Sequence, residues 1–353
     1  HGLVTTAKNV RWIEALLGLK KVQTALKKLP LDAQMHLPTP LFAPYALRGS
    51  AGTQPKIAIT APMPLIGSGG HRTIYNMGRR LSELGAEVHM LSERAGDPDA
   101  VEWMEEITED ADFTHHTRWN AQIKPDVAIA TIAHSAPFVR KRFGGRAHTF
   151  YFVQDHEAEF NPVSDGYLRA QTTFTQTENH LTIGSWLSHM LATQYGRPAA
   201  AGGLGVDHSI YGPVKMDKRK SKKVEYKTII RKKQVAFLYQ PEKWRRAPEM
   251  CISALAQVKQ RLPEVEVVLY GSDRTVDVPF EADHRGLITD LSELNEIYNE
   301  SRVGLCISAT NPSRIPFEMM AAGCVPVDLY RDNILFDMAS GARVLAYQTP
   351  DSV

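Results

Sequence analysis

The residues of this chain best suited to holding a phosphorylated, hydroxylated ligand stand in one run. It reads Ala309-Thr310-Asn311-Pro312-Ser313-Arg314-Ile315-Pro316-Phe317-Glu318, then Met319-Met320-Ala321-Ala322-Gly323-Cys324-Val325-Pro326-Val327. A loop with Pro312 and Ser313 enters a helix whose first turn carries Glu318, and Gly323 with Pro326 closes that helix into a strand. Free amides at a helix start favour anionic oxygens such as a diphosphate, and a carboxylate beside them accepts from a sugar hydroxyl. The competing reading is a carboxylate that only complements the helix dipole. A second candidate is Gly67-Ser68-Gly69-Gly70, where glycines let the backbone come close to a ligand. The pattern is not G-x-G-x-x-G, and Ser92 rather than an acid closes the following strand, so a dinucleotide cofactor is not indicated. A tight connection and nothing more is the alternative for these glycines.

Other groupings imitate chemistry without completing it. Asp97-Pro98-Asp99 and Asp110-Ala111-Asp112 look like metal-binding D-x-D pairs but stand in polar, turn-rich stretches, and are read as surface turns. His115-His116 lacks a third ligand at helical spacing. Gly184-Ser185-Trp186 does not complete G-x-S-x-G, so Ser185 is not a nucleophile elbow. Cys251, Cys306 and Cys324 are too few and too scattered for a disulfide framework or a zinc site, which favours reduced thiols in a cytoplasmic protein.

These residues need a scaffold, and the rest of the chain describes one. At 353 residues the chain exceeds a single core, so two domains are expected. No apolar stretch approaches the roughly 18 to 20 residues of a membrane span. No secretory signal is read at the start, and the chain begins with His1 rather than Met, which leaves upstream residues open. From Asn9 to Leu29, Trp12, Leu16, Leu19, Val22 and Leu26 recur every three to four residues opposite Lys20, Lys21, Lys27 and Lys28. That spacing predicts an amphipathic basic helix, packed on the body of the protein or, as the second reading, laid on a membrane surface. Between Lys215 and Lys233 ten Lys or Arg face two acids, which reads as a solvated linker, with attraction to anionic lipid or phosphate as the alternative.

Strand, glycine-rich turn, helix and strand follow one another over Lys56–Ala61, Pro62–Gly70, His71–Leu84 and Glu87–Ser92, the opening of a doubly wound sheet. Asp126–Ala133, His148–Val153 and Thr182–Gly184 read as further strands, the first two followed by loops and the last by a helix over Trp186–Tyr195. A second series begins at Gln234–Tyr239 and runs through a helix at Ala247–Arg261, a strand at Val265–Tyr270 and a helix at Leu291–Glu300. It closes with a strand at Val303–Ser308, a helix at Pro316–Ala322 and a strand at Val325–Leu329. The expected architecture is therefore α/β, with two facing Rossmann-like domains and a cleft between them. Its parts are a helical extension over 1–55, a first domain over 56–208, a basic linker over 209–233 and a nucleotide-binding domain over 234–353.

With these features together, the chain from Lys56 onward resembles the retaining glycosyltransferases of the GT-B fold, in the large family numbered four. The likeness rests on Pro64–His71, Lys124-Pro125-Asp126, Gly205-Val206-Asp207 and the Pro312-to-Pro326 signature. Around Tyr151-Phe152-Val153-Gln154-Asp155-His156-Glu157 and Phe237-Leu238-Tyr239-Gln240-Pro241-Glu242 it is similar to bacterial rhamnosyltransferases that build surface polysaccharide or S-layer glycan.

The resemblance implies transfer of L-rhamnose from dTDP-β-L-rhamnose, with retention, to a growing glycan, free or lipid-linked. No metal cofactor is expected, because Arg245 and Arg246 take the diphosphate charge and no credible D-x-D is present, and no nucleic-acid partner is expected. The expected location is cytoplasmic, with peripheral contact at the inner membrane face as the second reading. Carried over by position, Glu318 binds the nucleotide ribose, and Lys243, Arg245 and Arg246 neutralise the donor diphosphate. Gly69 and Gly70 approach the donor from the first domain, Gly271, Ser313 and Arg314 complete the donor set, and Asp155 and His156 fall at the catalytic position against the donor sugar. Two positions depart from the pattern: Thr310 stands where the first glutamate of a pair is expected, and Gln240 where an arginine is. The family's C-terminal crossover helix is not read before Val353; either it lies beyond that residue or this member dispenses with it. A nucleotide-sugar epimerase of the same architecture and a non-catalytic nucleotide-sugar-binding module remain the alternative readings.

Overall fold

The computed structural model describes residues 54–93, 98, 99, 102, 106, 113–116, 119, 122–214, 231–274, 277–338 and 341–353. The expected helix at Asn9–Leu29, the Asp110–Asp112 pair and most of the basic run lie outside the described residues. Strands β1 (Lys56–Ala61), β2 (Glu87–Ser92), β3 (Phe113–His116), β4 (Val127–Ala130), β5 (His148–Val153), β6 (Asn179–Ile183) and β7 (Ala199–Gly202) form one parallel sheet. Its order is β3-β2-β1-β4-β5-β6-β7. Strands β8 (Lys232–Leu238), β9 (Glu266–Tyr270), β10 (Asp283–His284), β11 (Ser301–Leu305), β12 (Val325–Leu329) and β13 (Val344–Ala346) form a second, ordered β10-β9-β8-β11-β12-β13 and also parallel.

Parallel strands are buried on both faces, and alternate residues divide between two apolar layers. Ala58 and Ala128 belong to the layer with Phe174 and Leu187, whereas Ile57, Ile59 and Ile129 face the layer with Ile74 and Tyr75. The second sheet repeats the division, with Ala236, Leu238 and Tyr270 on one side and Phe237, Tyr239 and Leu269 on the other. Helices α1 (Gly69–Glu83), α2 (Ser135–Phe143), α3 (Asp165–Gln176) and α4 (Ser185–Tyr195) cover the first sheet. The second sheet carries α5 (Pro248–Arg261), α6 (Leu291–Glu300), α7 (Ile315–Ala321) and α8 (Asp332–Asp337).

Helices α2 and α3 occupy stretches read as loops. Pro137 sits in the first turn of α2, where its missing N–H has no helical acceptor to lose. In α3 three threonines lower helix propensity, yet their hydroxyls bond back within the helix, Thr172 to Leu168 O and Thr173 to Ala170 O at 2.7 Å each, and Thr175 to Thr172 O at 3.0 Å. Burial of Ala170, Thr173 and Phe174 then outweighs the propensity. β7 has the sequence Ala-Ala-Ala-Gly, which carries no strand signal, and exists because β6 offers it a free edge.

Among the described residues, one set of hydrogen bonds at α4 and another at the cleft join the two units. The Asp337 carboxylate at the end of α8 accepts from Ser185 N at 2.5 Å and Trp186 N at 3.1 Å, capping α4 from the other unit. Gly184 permits this, with φ +84° and a would-be Cβ 2.7 Å from Asp337 Oδ2. The second set lies at the cleft and is described with it. Within the part expected as linker, Tyr211 is buried in the core of the second unit, and Gly212 N and Val214 N donate to Asn295 and Asn299 of α6.

Candidate functional site

Both sheets reverse their strand order at a central pair, β1/β4 and β8/β11, and the C-terminal ends of these strands meet across a cavity of about 380 Å³. That is where an open α/β sheet places a ligand. Gly67, at φ +71°, brings the turn after β1 so close to the second unit that a Cβ there would lie 2.7 Å from Leu287. Gly69 and Gly70 line the cavity, but a Cβ would meet nothing within 4 Å at Gly69 and only Gln154 at 3.8 Å or beyond at Gly70. The protein's own packing therefore leaves room at both positions.

Ser68 caps α1 by accepting from His71 N, and Leu65 N donates to His71 Nδ1 at 2.9 Å. With Nδ1 accepting, the ring proton sits on Nε2, which has no protein partner among the described residues. Burial, then the Lys243 charge, holds the His71 pKa down at about 4, so a neutral N–H donor lines the cavity at physiological pH. Replacing His71 by Asn keeps an acceptor for Leu65 N and removes the donor. We expect His71→Asn to bind inorganic pyrophosphate about ten-fold more weakly, the size of one hydrogen bond to a charged group, with the melting temperature unchanged. His71→Gln, whose amide reaches the Nε2 position, should recover that affinity. Calorimetric titration of the three proteins checks this, and equal affinity in the Asn variant removes His71 from the ligand's contacts.

Across the cavity, Lys243, Arg245 and Arg246 project from the short turn after β8, which Ala309 N ties to the β11 loop by donating to Arg245 O at 2.8 Å. Burial and the two arginines pull the Lys243 pKa down to about 8. Arg246 Nε and Nη1 are sealed from solvent with no hydrogen-bond partner among the described residues, and burial followed by Arg245 lowers its pKa. Arg245 stacks over Phe160 at 4.3 Å and stands 3.7 Å from Asp155. Like charges crowded out of water and short of partners favour an anion between them. Gly271 also lines the cavity, at φ +104° where a Cβ would strike Leu238 at 2.7 Å.

The loop after β11 brings Ser313, Arg314 and Glu318 to the same cavity. Glu318 is only 5% exposed, in the first turn of α7. Burial raises its pKa, opposed by Arg314, Arg72 and a hydrogen bond from Tyr211. Arg231 fixes this helix by donating to Ala322 O at 2.6 Å and to the carbonyls of Tyr298, Asn299 and Ser301. Thr310 does not face the cavity; it is buried beside Asp155, and its carbonyl accepts from Asn333.

The structure separates the two expected catalytic residues. Asp155 lines the cavity, but Oδ1 accepts from His156 N and from Asn311 N of the other unit, both at 2.9 Å, while Asn311 Nδ2 donates to Gln154 O at 2.9 Å. It thus acts as a latch between the units. His156 does not line the cavity, which corrects the expected placement: it is 4% exposed, with Nε2 2.8 Å from Tyr195 OH and Nδ1 3.1 Å from Glu159. The chain bends at Asp155, beyond the end of β5, and the two side chains part there, Asp155 into the cleft and His156 into the helical layer against Phe174 and Tyr195. Sequence reading missed His71, although it directly follows the glycine turn. It also missed Glu157, a cavity-lining carboxylate whose pKa burial raises to about 7 despite hydrogen bonds from Ala133 N at 2.7 Å and Tyr151 OH at 2.8 Å.

His116 pairs with His89 at 2.9 Å on β3 and β2, and no group of three or more His, Cys, Asp or Glu suited to a metal occurs among the described residues. The three cysteines are buried and free. No helix among the described residues is long and apolar enough to cross a membrane.

Residues 233–350 match the family described as WsaF, C-terminal domain. No curated protein matches the chain in sequence. In structure the chain is similar to a glycosyltransferase from Rickettsia africae ESF-5, with TM-score 0.58 and 12% identity over 85% of this chain and 86% of that one. It is also similar to an α-glucosyltransferase in complex with UDP and DNA (TM-score 0.51, 10% identity, 84% and 87% covered). S. aureus MnaA with UDP is a third likeness (TM-score 0.50, 10% identity, 79% and 80% covered). At these identities the likeness defines the fold, two parallel-sheet units of the GT-B type.

Proposed function

We propose that the chain is a glycosyltransferase that takes its sugar from a nucleotide-sugar donor held in the inter-domain cleft. The observation that carries this reading is Arg246, whose sealed Nε and Nη1 have no partner among the described residues while Lys243 and Arg245 stand beside it. A diphosphate supplies the missing acceptors and negative charge. Glu318 accepts from the nucleotide ribose, and Gly69, Gly70 and His71 close over the diphosphate from the other side. In the reaction the bond from the sugar's anomeric carbon to the phosphate oxygen breaks, and its electron pair leaves on the diphosphate. The acceptor's hydroxyl oxygen forms the new bond, and its proton is released with the diphosphate. Fixed cations stabilise the charge that develops on the leaving group.

The finer reading is rhamnosyl transfer from dTDP-β-L-rhamnose with retention, supported by the WsaF C-terminal match and by the rhamnosyltransferase likeness around Tyr151–Glu157 and Phe237–Glu242. A glycan acceptor on a lipid carrier at the inner membrane face fits the basic segments at Asn9–Leu29 and Lys215–Lys233.

We expect thymidine diphosphate to bind the cleft, and transfer from dTDP-rhamnose to proceed in excess chelator, since three cations already neutralise the leaving group. Titration against uridine diphosphate, with turnover measured with and without chelator, tests both. Uridine diphosphate binding at least ten-fold tighter, about 1.4 kcal/mol, defeats the thymidine assignment. Turnover that needs added magnesium or manganese defeats the metal-free role of the cations.

A further inference from the structure

Glu318 shares the cavity wall with two polar side chains that the reaction has not yet used. Arg72 comes from the first turn of α1, and Tyr211 from the turn beyond β7. Tyr211 is 3% exposed and its backbone is pinned. Its N–H donates to Asp207 O at 2.8 Å, Gly212 N donates to Asn295 Oδ1 at 3.1 Å, and Asn299 Nδ2 donates to Gly212 O at 2.9 Å. The Tyr211 ring lies 6.2 Å from that of Tyr298, whose hydroxyl is already paired with Tyr270 OH at 2.9 Å. The Tyr211 hydroxyl bonds elsewhere: Arg72 of the first unit donates to it, and it donates to Glu318 of the second. We propose that Tyr211 is a positioning residue of the donor site, relaying a hydrogen bond from Arg72 to Glu318 and so holding that carboxylate in the orientation the nucleotide ribose needs. The proposal rests on the glycosyltransferase reading above.

A phenol has one proton and two lone pairs. With an arginine N–H on the oxygen, the proton is left to point at the carboxylate, and a donor polarised by a cation is a stronger one. The carboxylate keeps lone pairs for ribose hydroxyls. Because the bonds run from α1 to α7, the seating of a first-unit helix bears on how a second-unit carboxylate is held. The groups that face Glu318 are Arg314 of its own loop, Arg72, Tyr211, and Tyr270 and Tyr298 from β9 and α6. Burial pushes the last two phenols well above their ordinary range, so both stay neutral. The charge on Glu318 is therefore answered by the two arginines and the Tyr211 proton. Taking that proton away leaves burial, which already raises the Glu318 pKa, less opposed, and the carboxyl is then neutralised at a higher pH.

The test compares wild type, Tyr211→Phe, Glu318→Gln and the double variant by calorimetric titration with thymidine diphosphate from about pH 5 to 8. Tyr211→Phe should bind about ten-fold more weakly near neutral pH, and its affinity should begin to fall at a higher pH than that of wild type. In the Glu318→Gln background the same change should cost little, since Tyr211 acts through the carboxylate. Inorganic pyrophosphate, which has no ribose, should bind Tyr211→Phe and wild type equally. Arg72→Met keeps the aliphatic stem and loses the donors. It should move the pH profile in the same direction, and it carries the test on the same terms if Tyr211→Phe does not fold. Wild-type affinity with an unmoved pH profile in Tyr211→Phe overturns the proposal. So does a loss as large in the Glu318→Gln background, or as large for pyrophosphate, because Tyr211 would then act elsewhere. A wild type that binds neither thymidine nor uridine diphosphate instead defeats the glycosyltransferase reading itself.

Discussion

Arg246→Gln is expected to abolish most of the affinity for thymidine diphosphate, by two to three orders of magnitude, while leaving thymidine itself unaffected. The guanidinium carries buried nitrogens, Nε and Nη1, for which no acceptor stands among the described residues, and burial together with Arg245 lowers its pKa. The folded chain thus bears a cost that the ligand relieves on binding. Loss of a desolvated, charge-assisted contact of this kind costs about 3 to 4 kcal/mol, which is the stated fall in affinity. Without ligand the variant should melt no lower than wild type, because the unsatisfied cation is gone. The opposing view makes Arg246 a structural counter-charge for Asp328, whose Oδ2 is also buried without a hydrogen bond and whose pKa burial lifts to about 7. That view predicts a lower melting point with nucleotide binding intact. Calorimetry with thymidine diphosphate and a melt of each ligand-free protein decide between them.

Glu318→Gln should weaken thymidine diphosphate binding by roughly ten- to hundred-fold, as expected for one charge-assisted hydrogen bond of about 1.5 to 3 kcal/mol. The carboxylate faces the cavity but is almost fully buried, and burial raises its pKa against the pull of Arg314 and Arg72. Its contribution to folding stability is therefore fully present below the ordinary glutamate range and is lost as pH rises through the raised folded value. The ionised form, by contrast, gains from the ligand's hydroxyl donors and adds nothing to the stability of the fold. The Gln variant should accordingly keep a near-normal melting temperature at pH 7 and show a flatter dependence of stability on pH. A variant with normal affinity and a lower melting temperature would assign Glu318 to the core alone.

Much of the site was legible because its parts are local. Gly67–Gly70 and Pro312–Glu318 each combine a strand end, a turn and a helix start within about ten residues, and short-range backbone geometry places their amides and side chains. The run Lys243–Arg246 is equally local, and its three cations converge because one short turn carries them all. His156 was not legible in the same way. Its neighbour Asp155 is drawn across the cleft by Asn311, more than 150 positions later, and the choice of which of the two faces the ligand belongs to that contact.

Sequence by itself determined the repeating strand, turn and helix order and hence two parallel sheets, since apolar periodicity and glycine turns act over a few residues. Only the tertiary structure decided what depends on distant partners. Thr310 looked like a missing sugar contact, yet it is buried beside Asp155, away from the cavity. Threonine-rich α3 is a helix because Phe174 has a core to enter, and α4 receives its cap from Asp337 of the other unit. Such contacts close loops of a hundred residues or more and are set by which surfaces meet. No local propensity encodes that choice; the burial and hydrogen bonding of the assembled chain settle it.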